Sequence, residues 1–152
     1  MSFSIRRLRP GDEPILELLA LEDADFDVEG RSGPREPLDR ETARAYLSDP
    51  AVLHWIAEES GGAVLGALSA HRLRKRVGEP AEVLFYEIGV RTAHRRQGVG
   101  KALVEALYGW MRAHEVREVW VLAGNPAAVE FYRACGFEIP AGPSVYLQRR
   151  LD

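Results

Sequence analysis

The chain of 152 residues has little of what several specialised protein classes require. It holds one cysteine, Cys135, so no internal disulfide can form, which suits a reducing compartment. No apolar run approaches the ~20 residues of a membrane span. The N-terminal stretch "MSFSIRRLRPGDEP" has no apolar core of a secretory signal. His54, His71, His94 and His114 show neither metal-ligand spacing nor a local Asp or Cys partner, so no metal is expected. Neither sign of charge dominates: the formal net charge of -3 gives no global attraction for nucleic acid. No internal repeat is visible. These absences point to a cytoplasmic, globular chain read as one domain over residues 1–152, with neither nucleic acid nor membrane as a partner.

What is present is an alternation of strand and helix patterns. "SFSIRRL" alternates apolar and polar residues as a short strand does, and "ILELLALEDA" carries leucines at helical spacing. The acidic stretch from Asp23 to Pro37 contains Gly and Pro and is expected to be a loop or irregular helix. "LDRETARAYLSDP" predicts a helix capped by Asp39 and ended before Pro50. "AVLHWIAEE" and "AVLGALSAHRL" flank the turn "SGG" and read as a hairpin. "VLFYEIGV" is almost uniformly apolar, like a central strand buried on both faces, and Glu87 is its one charge.

A helix beginning near Gly98 follows, with Leu103, Leu107, Trp110 and Met111 on one face. "REVWVLAG" predicts another strand. "NPAAVEFYRACGF" predicts a helix with Asn125 as cap, Pro126 at its first position and Gly136 as its stop. "SVYLQRRL" is expected to close the chain as a strand. This order implies an α/β (α+β) fold with a mixed sheet.

Between the apolar strand and its helix lies "HRRQGVGK", residues 94–101. Gly98 and Gly100 remove side chains where backbone could approach a ligand, and a helix N-terminus behind them offers unpaired N–H groups and partial positive charge. With Arg95 and Arg96 beside it, an anion is the natural occupant. A plain strand-to-helix connection is the competing reading. Two familiar phosphate loops are excluded. A Walker loop needs Gly where Arg95 stands and Ser or Thr where Ala102 stands. The dinucleotide fingerprint needs Gly at Leu103.

The pattern Arg95-x-x-Gly98-x-Gly100 resembles the anion turn of the GCN5-related N-acetyltransferases. "NPAAVEFYRACGF" is similar to that superfamily's second motif, and the resemblance covers roughly residues 50–150. It implies the family's mostly antiparallel central sheet flanked by helices, and acetyl-CoA as cosubstrate. On this resemblance Arg95, Arg96, Gln97, Gly98, Val99, Gly100 and Lys101 cradle the pyrophosphate. The backbone of Ile88 and Val90 pairs with the pantetheine arm where two strands splay apart, and Asn125 contacts the same arm. Tyr132 is carried over as the general acid for the departing thiolate, and a homodimer is common in the family. Without the motif, Tyr132 would read equally as a half-buried aromatic on a helix face.

Acetyl transfer to an amine has its own requirements. An alkyl amine has a pKa near ~10, so about one molecule in 10³ is nucleophilic near neutrality, and a base must take its proton. Glu87 suits that role, because a lone acid in an apolar strand is costly unless paired or used. Its competing reading is an edge-facing acid paired with an arginine. A backbone N–H at a bulge near Ile88 or Val90 could serve the developing oxyanion.

A narrower likeness runs through "GALSAHRLRKRVGEPAEVLFYEIGVRTAHRRQGVG", which resembles the bacterial aminoglycoside 3-N-acetyltransferases, although Glu87 here stands where they carry Asp. "LEDADFDVEG" is similar to an acidic stretch of that group. Asp25, Asp27 and Glu29, with Glu22 and Asp23, would attract a polycationic small-molecule amine, unless they form a solvated acidic loop. The basic run Arg72 to Val77 has two readings, a contact for the adenosine 3′-phosphate or a solvated strand end. Cys135 reads as a small buried residue, and the three tryptophans as mainly core. Two other functions stay open: peptide or protein N-acetylation, and a catalytically silent acyl-CoA-binding sensor.

Overall fold

A computed structural model describes residues 2–26 and 33–152. The described residues form five strands and five α-helices: β1 (Phe3–Arg7), α1 (Glu13–Leu21), α2 (Asp23–Phe26), α3 (Arg40–Ser48), β2 (Val52–Glu59), β3 (Val64–Leu73), β4 (Glu82–Val90), α4 (Val99–Ala113), β5 (Glu118–Val121) and α5 (Pro126–Ala134). The sheet order follows the chain, β1-β2-β3-β4-β5. All neighbours are antiparallel except β4 and β5, because α4 carries the chain back across the sheet between them. The mixed, mostly antiparallel sheet flanked by helices is the architecture the sequence implied.

Strand periodicity divides the core in two. In β2, Leu53, Trp55 and Ala57 face the layer formed by α4 and α5, while Ile56 faces α1, α2 and α3. On α4 the buried stripe is Val99, Leu103, Val104, Leu107 and Met111. Each fully buried side chain of this kind contributes about 1.5–3 kcal/mol of transfer free energy, so this stripe fixes the helix on the sheet.

The caps form where the sequence placed them. Asp39 accepts from the Thr42 N–H at 2.9 Å and from its hydroxyl at 2.8 Å. Asn125 Oδ1 accepts from the Ala128 N–H at 2.9 Å. Gly136 adopts φ 97° beyond α5. There the Phe137 N–H bonds the Tyr132 carbonyl and the Gly136 N–H the Arg133 carbonyl, both at 3.0 Å.

Three expectations need correction. "SVYLQRRL" forms no strand and joins no ladder among the described residues, and Val145, Leu147 and Leu151 are exposed. Alternation specifies an extended chain and two faces, but not a partner. Trp120 is not core: it lies on the edge strand β5, and its indole N–H reaches Glu82 at 3.2 Å. Gly100 was expected to make room for a ligand, yet a Cβ there would meet the Phe131 ring at 3.2 Å, so its missing side chain lets α4 approach α5.

Candidate active site

The site begins with an irregularity in β4. Ser69 pairs with Glu87 and Ala70 with Phe85, so Tyr86 is an extra residue opposite β3. The parallel pairing with β5 runs from Glu82 to Phe85 and stops at that bulge. Beyond it, residues 87–90 keep β3 on one side and lose β5 on the other. The gap opens into a cavity of about 1000 Å³.

The turn after β4 forms one wall of this cavity. Arg96 and Gly98 both adopt left-handed backbone, φ 61° and 83°, so the chain turns sharply before α4. Gly98 is the N-cap of α4, and Val99, Gly100 and Lys101 of its first turn, whose amides have no partner within the helix, border the cavity. A 15-residue helix adds its positive end at this point. Arg95 and Arg96 also border the cavity, and the Arg95 Nε–H is tied to the Val90 carbonyl at 3.1 Å. Gln97 lies outside its lining. Donor-rich backbone, four bordering cations including Lys101 and Arg150, and an elongated gap beside β4 fit a phosphate-bearing coenzyme with an extended arm.

Asn125 and Tyr132 border the same cavity from α5. Since Asn125 Oδ1 caps the helix, its amide nitrogen is the group left to face a ligand. Tyr132 is buried, held edge-on by Phe85 at 5.3 Å and by Phe137 at 5.5 Å. These contacts fix the ring in one orientation on the cavity wall.

A smaller cavity of about 210 Å³ lies on the other side of β4. Glu87, Ile88 and Gly89 border both cavities, so the strand past the bulge is their shared wall. Asp23, Glu36 and Glu87 bring carboxylates to the smaller cavity, and Arg35 brings the opposing charge. Arg35 Nε is 3.0 Å from Asp23, and its Nη1 is 3.6 Å from Glu87. Glu87 is therefore an acid with an arginine neighbour and, at the same time, a group on both cavities.

Sequence reasoning assigned nothing to Tyr46 and His54, which also border the smaller cavity. Their hydroxyl and Nδ1 are 2.9 Å apart. Burial, with a smaller push from His71, lowers the His54 imidazole to about 4, so it is neutral near pH 7. Burial and the Glu87 charge raise Tyr46 to about 12. No local motif marks this pair, because the two residues come from α3 and β2.

The acidic segment is used differently from the expectation. Asp25 borders neither cavity: its carboxylate meets the Arg91 guanidinium at 3.1 Å, a hydrogen bond that lowers its pKa. Arg91 also pairs with Glu22 and lies 4.5 Å over the Phe26 ring, so Asp25 helps clamp α2 onto the end of β4. The expected substrate contacts Asp27 and Glu29 lie outside the described residues. The basic run does not reach the larger cavity. Arg72 lies 6.0 Å over the Trp110 ring and Lys75 pairs with Glu79, whereas Arg150 supplies a cation that no motif announced. Cys135 is half-buried and its thiol pKa is raised by burial, as suits an unreactive side chain. Among the described residues no group of three His, Cys, Asp or Glu could hold a metal, and no helix is long and apolar enough to cross a membrane.

Comparison with known proteins agrees with this geometry. The profile of the acetyltransferase (GNAT) family matches residues 15–137. The chain belongs to that family. Acetyl-CoA is the cosubstrate that goes with this membership, and the larger cavity fits it. The acetyltransferase fold is shared with an aminoglycoside acetyltransferase from an uncultured soil metagenomic sample, solved with sisomicin: TM-score 0.75, 25% identity, 97% of each chain covered. N-acetyltransferase 8 of Rattus norvegicus is 30% identical over 97 residues, 62% of this chain and 43% of that protein. N-alpha-acetyltransferase RimI of Mycobacterium tuberculosis is 32% identical over 85 residues, 56% of this chain and 52% of that protein. The chain thus spans about half the length of the curated relatives it matches.

Proposed function

We propose that this acetyltransferase moves the acetyl group of acetyl-CoA onto a primary amine of a cationic small molecule, of the aminoglycoside or polyamine class. The observation that carries the reading is the shared wall: Glu87, Ile88 and Gly89 border both cavities. An amine held in the smaller cavity would meet a thioester held in the larger one at this stretch, so both substrates are bound together during direct attack. Among the described residues, three carboxylates and one guanidinium border the smaller cavity, a balance that favours a cation there. Regiochemistry at a 3-amino group, which the sequence likeness implied, is part of the proposal.

The chain's groups then divide the work. The 95–101 turn holds the pyrophosphate, while the Asn125 amide and the backbone of Ile88 and Val90 hold the pantetheine arm. Glu87, directly or through a water, takes the amine proton as the N–C bond forms. A backbone N–H just past the Tyr86 bulge donates to the developing oxyanion. The C–S bond breaks, and the Tyr132 hydroxyl gives its proton to the thiolate. A second reading, transfer to a peptide N-terminus, is favoured by the likeness to RimI.

Thiol release from acetyl-CoA across aminoglycosides, spermidine, amino acids and short peptides tests the proposal. Turnover with the polycations alone is the expected result, and turnover with peptides alone supports the second reading. Silence across the panel despite acetyl-CoA binding would favour a sensor. Glu87→Gln is expected to lower kcat by about 10²–10⁴ near pH 7, with partial recovery near pH ~10, where the amine loses its own proton. A mutant-to-wild-type ratio that stays flat with pH would remove Glu87 as the base.

A further inference from the structure

Arg35 holds the place that a cationic acceptor needs. Its backbone N–H donates to the Ala20 carbonyl at 2.9 Å, which fixes its base beside the end of α1. Its guanidinium spans Asp23 at 3.0 Å and Glu87 at 3.6 Å, and all three side chains border the smaller cavity. The same two carboxylates are those an incoming ammonium would meet on its way to the shared wall.

The guanidinium is held loosely. The Glu87 separation of 3.6 Å is too long for a directed hydrogen bond. Arg35 Nη2 is buried with no hydrogen-bond partner, so the group is stabilised by charge more than by aligned donors. Its side chain is 38% exposed, and ion pairs at that exposure contribute little. A ligand ammonium with three freely rotating donors can align with the same carboxylates without leaving a donor orphaned.

We infer that Arg35 is a resident cation of the acceptor site, displaced by a cationic acceptor on binding, and thereby a specificity-determining residue. The inference rests on the proposed reaction, since it assumes that the smaller cavity takes the amine. It assigns Arg35 the role of a competitor: only an amine able to replace its charge between Asp23 and Glu87 gains the site. Arg35 takes no part in proton transfer, so its removal acts on acceptor affinity and leaves the chemical step alone.

The test uses Arg35→Gln, which keeps a polar side chain and removes the charge, beside Arg35→Lys, which keeps the charge. KM and kcat for spermidine are measured at saturating acetyl-CoA. Arg35→Gln is expected to lower the spermidine KM about fivefold, as loss of two weak competing ion pairs predicts, with kcat within about twofold. Arg35→Lys is expected to stay near wild type. An unchanged KM overturns the inference. A raised KM overturns it too, and would make Arg35 a contact for an anionic group on the acceptor. A variant that had merely lost structure would lose kcat and thermal stability without gaining affinity. Spermidine titrated calorimetrically into CoA-saturated protein separates this inference from the proposed reaction. Tighter binding to Arg35→Gln than to wild type supports displacement even if no acetyl transfer occurs. Absence of spermidine binding to both proteins overturns it.

Discussion

The larger cavity takes most of its wall from two short runs of chain, residues 86–101 and 122–132, whereas the smaller draws its side chains from α1, α2, the segment before α3, α3 itself, β2, β3 and β4. The larger cavity is thus built mainly from backbone: a bulge at Tyr86, left-handed residues at Arg96 and Gly98, and a helix end. The smaller cavity is built from side chains that meet only after the sheet has formed. A backbone device is tied to local sequence, because turn conformation depends on which residues have a Cβ. A side-chain device can be rewritten one residue at a time while the scaffold stays. This difference explains how one family can keep its coenzyme and change its acceptor.

Gly98→Glu gives the sharpest separation of the two cavities. A Cβ at Gly98 would meet nothing within 4 Å, so the change costs roughly the 1–2 kcal/mol of a left-handed non-glycine residue and leaves the fold intact. It places a carboxylate in the anion turn, and acetyl-CoA affinity should fall at least ~100-fold by calorimetry through charge repulsion. Unchanged affinity in the folded variant would mean that the turn does not hold the pyrophosphate.

Acidification should strike the smaller cavity first. His54 has its imidazole lowered from 6.5 to about 4, so between those values the unfolded chain binds a proton that the folded chain refuses. Stability from this residue is therefore intact above pH ~6.5 and declines as pH falls toward ~4, by at most roughly 3 kcal/mol. Chemical denaturation at several pH values checks this, with His54→Gln expected to flatten the slope in that window. An equally steep slope in the variant would assign the effect to other groups.

Gly89→Ala is the smallest change and probes the shared wall. A Cβ there would stand 2.4 Å from the Phe26 carbonyl oxygen, so α2 must move. The expected loss is about 2 kcal/mol in denaturant unfolding, with a raised acceptor KM and little change in acetyl-CoA affinity. Equal weakening of both substrates would show that the two cavities are less separable than their construction implies.

Much of the fold was legible because local rules produced it. The caps at Asp39 and Asn125, the stop at Gly136, and the β2–β3 hairpin across "SGG" all formed as read. Trp120 failed because a strand's position in the sheet, centre or edge, is not written in its own four residues. "SVYLQRRL" failed because a ladder needs a neighbour as well as a pattern. Asp25 failed for a related reason. Its charge was plain, but whether it met a ligand or an arginine depended on Arg91, 66 residues away.

The sequence by itself determined the alternation of elements, the glycine turn between β4 and α4, the capped α5 carrying Tyr132, and the acid Glu87 in the strand before that turn. Each of these rests on interactions within a few residues, where backbone geometry and side-chain reach leave few outcomes. Only the tertiary structure decided that β4 parts from β5 at Tyr86 and that Glu87 borders two cavities. It also decided that Arg35, Tyr46 and His54 gather around the second of them. Those outcomes depend on contacts between distant segments, whose pairing follows from burying two apolar layers against one sheet and from no local pattern.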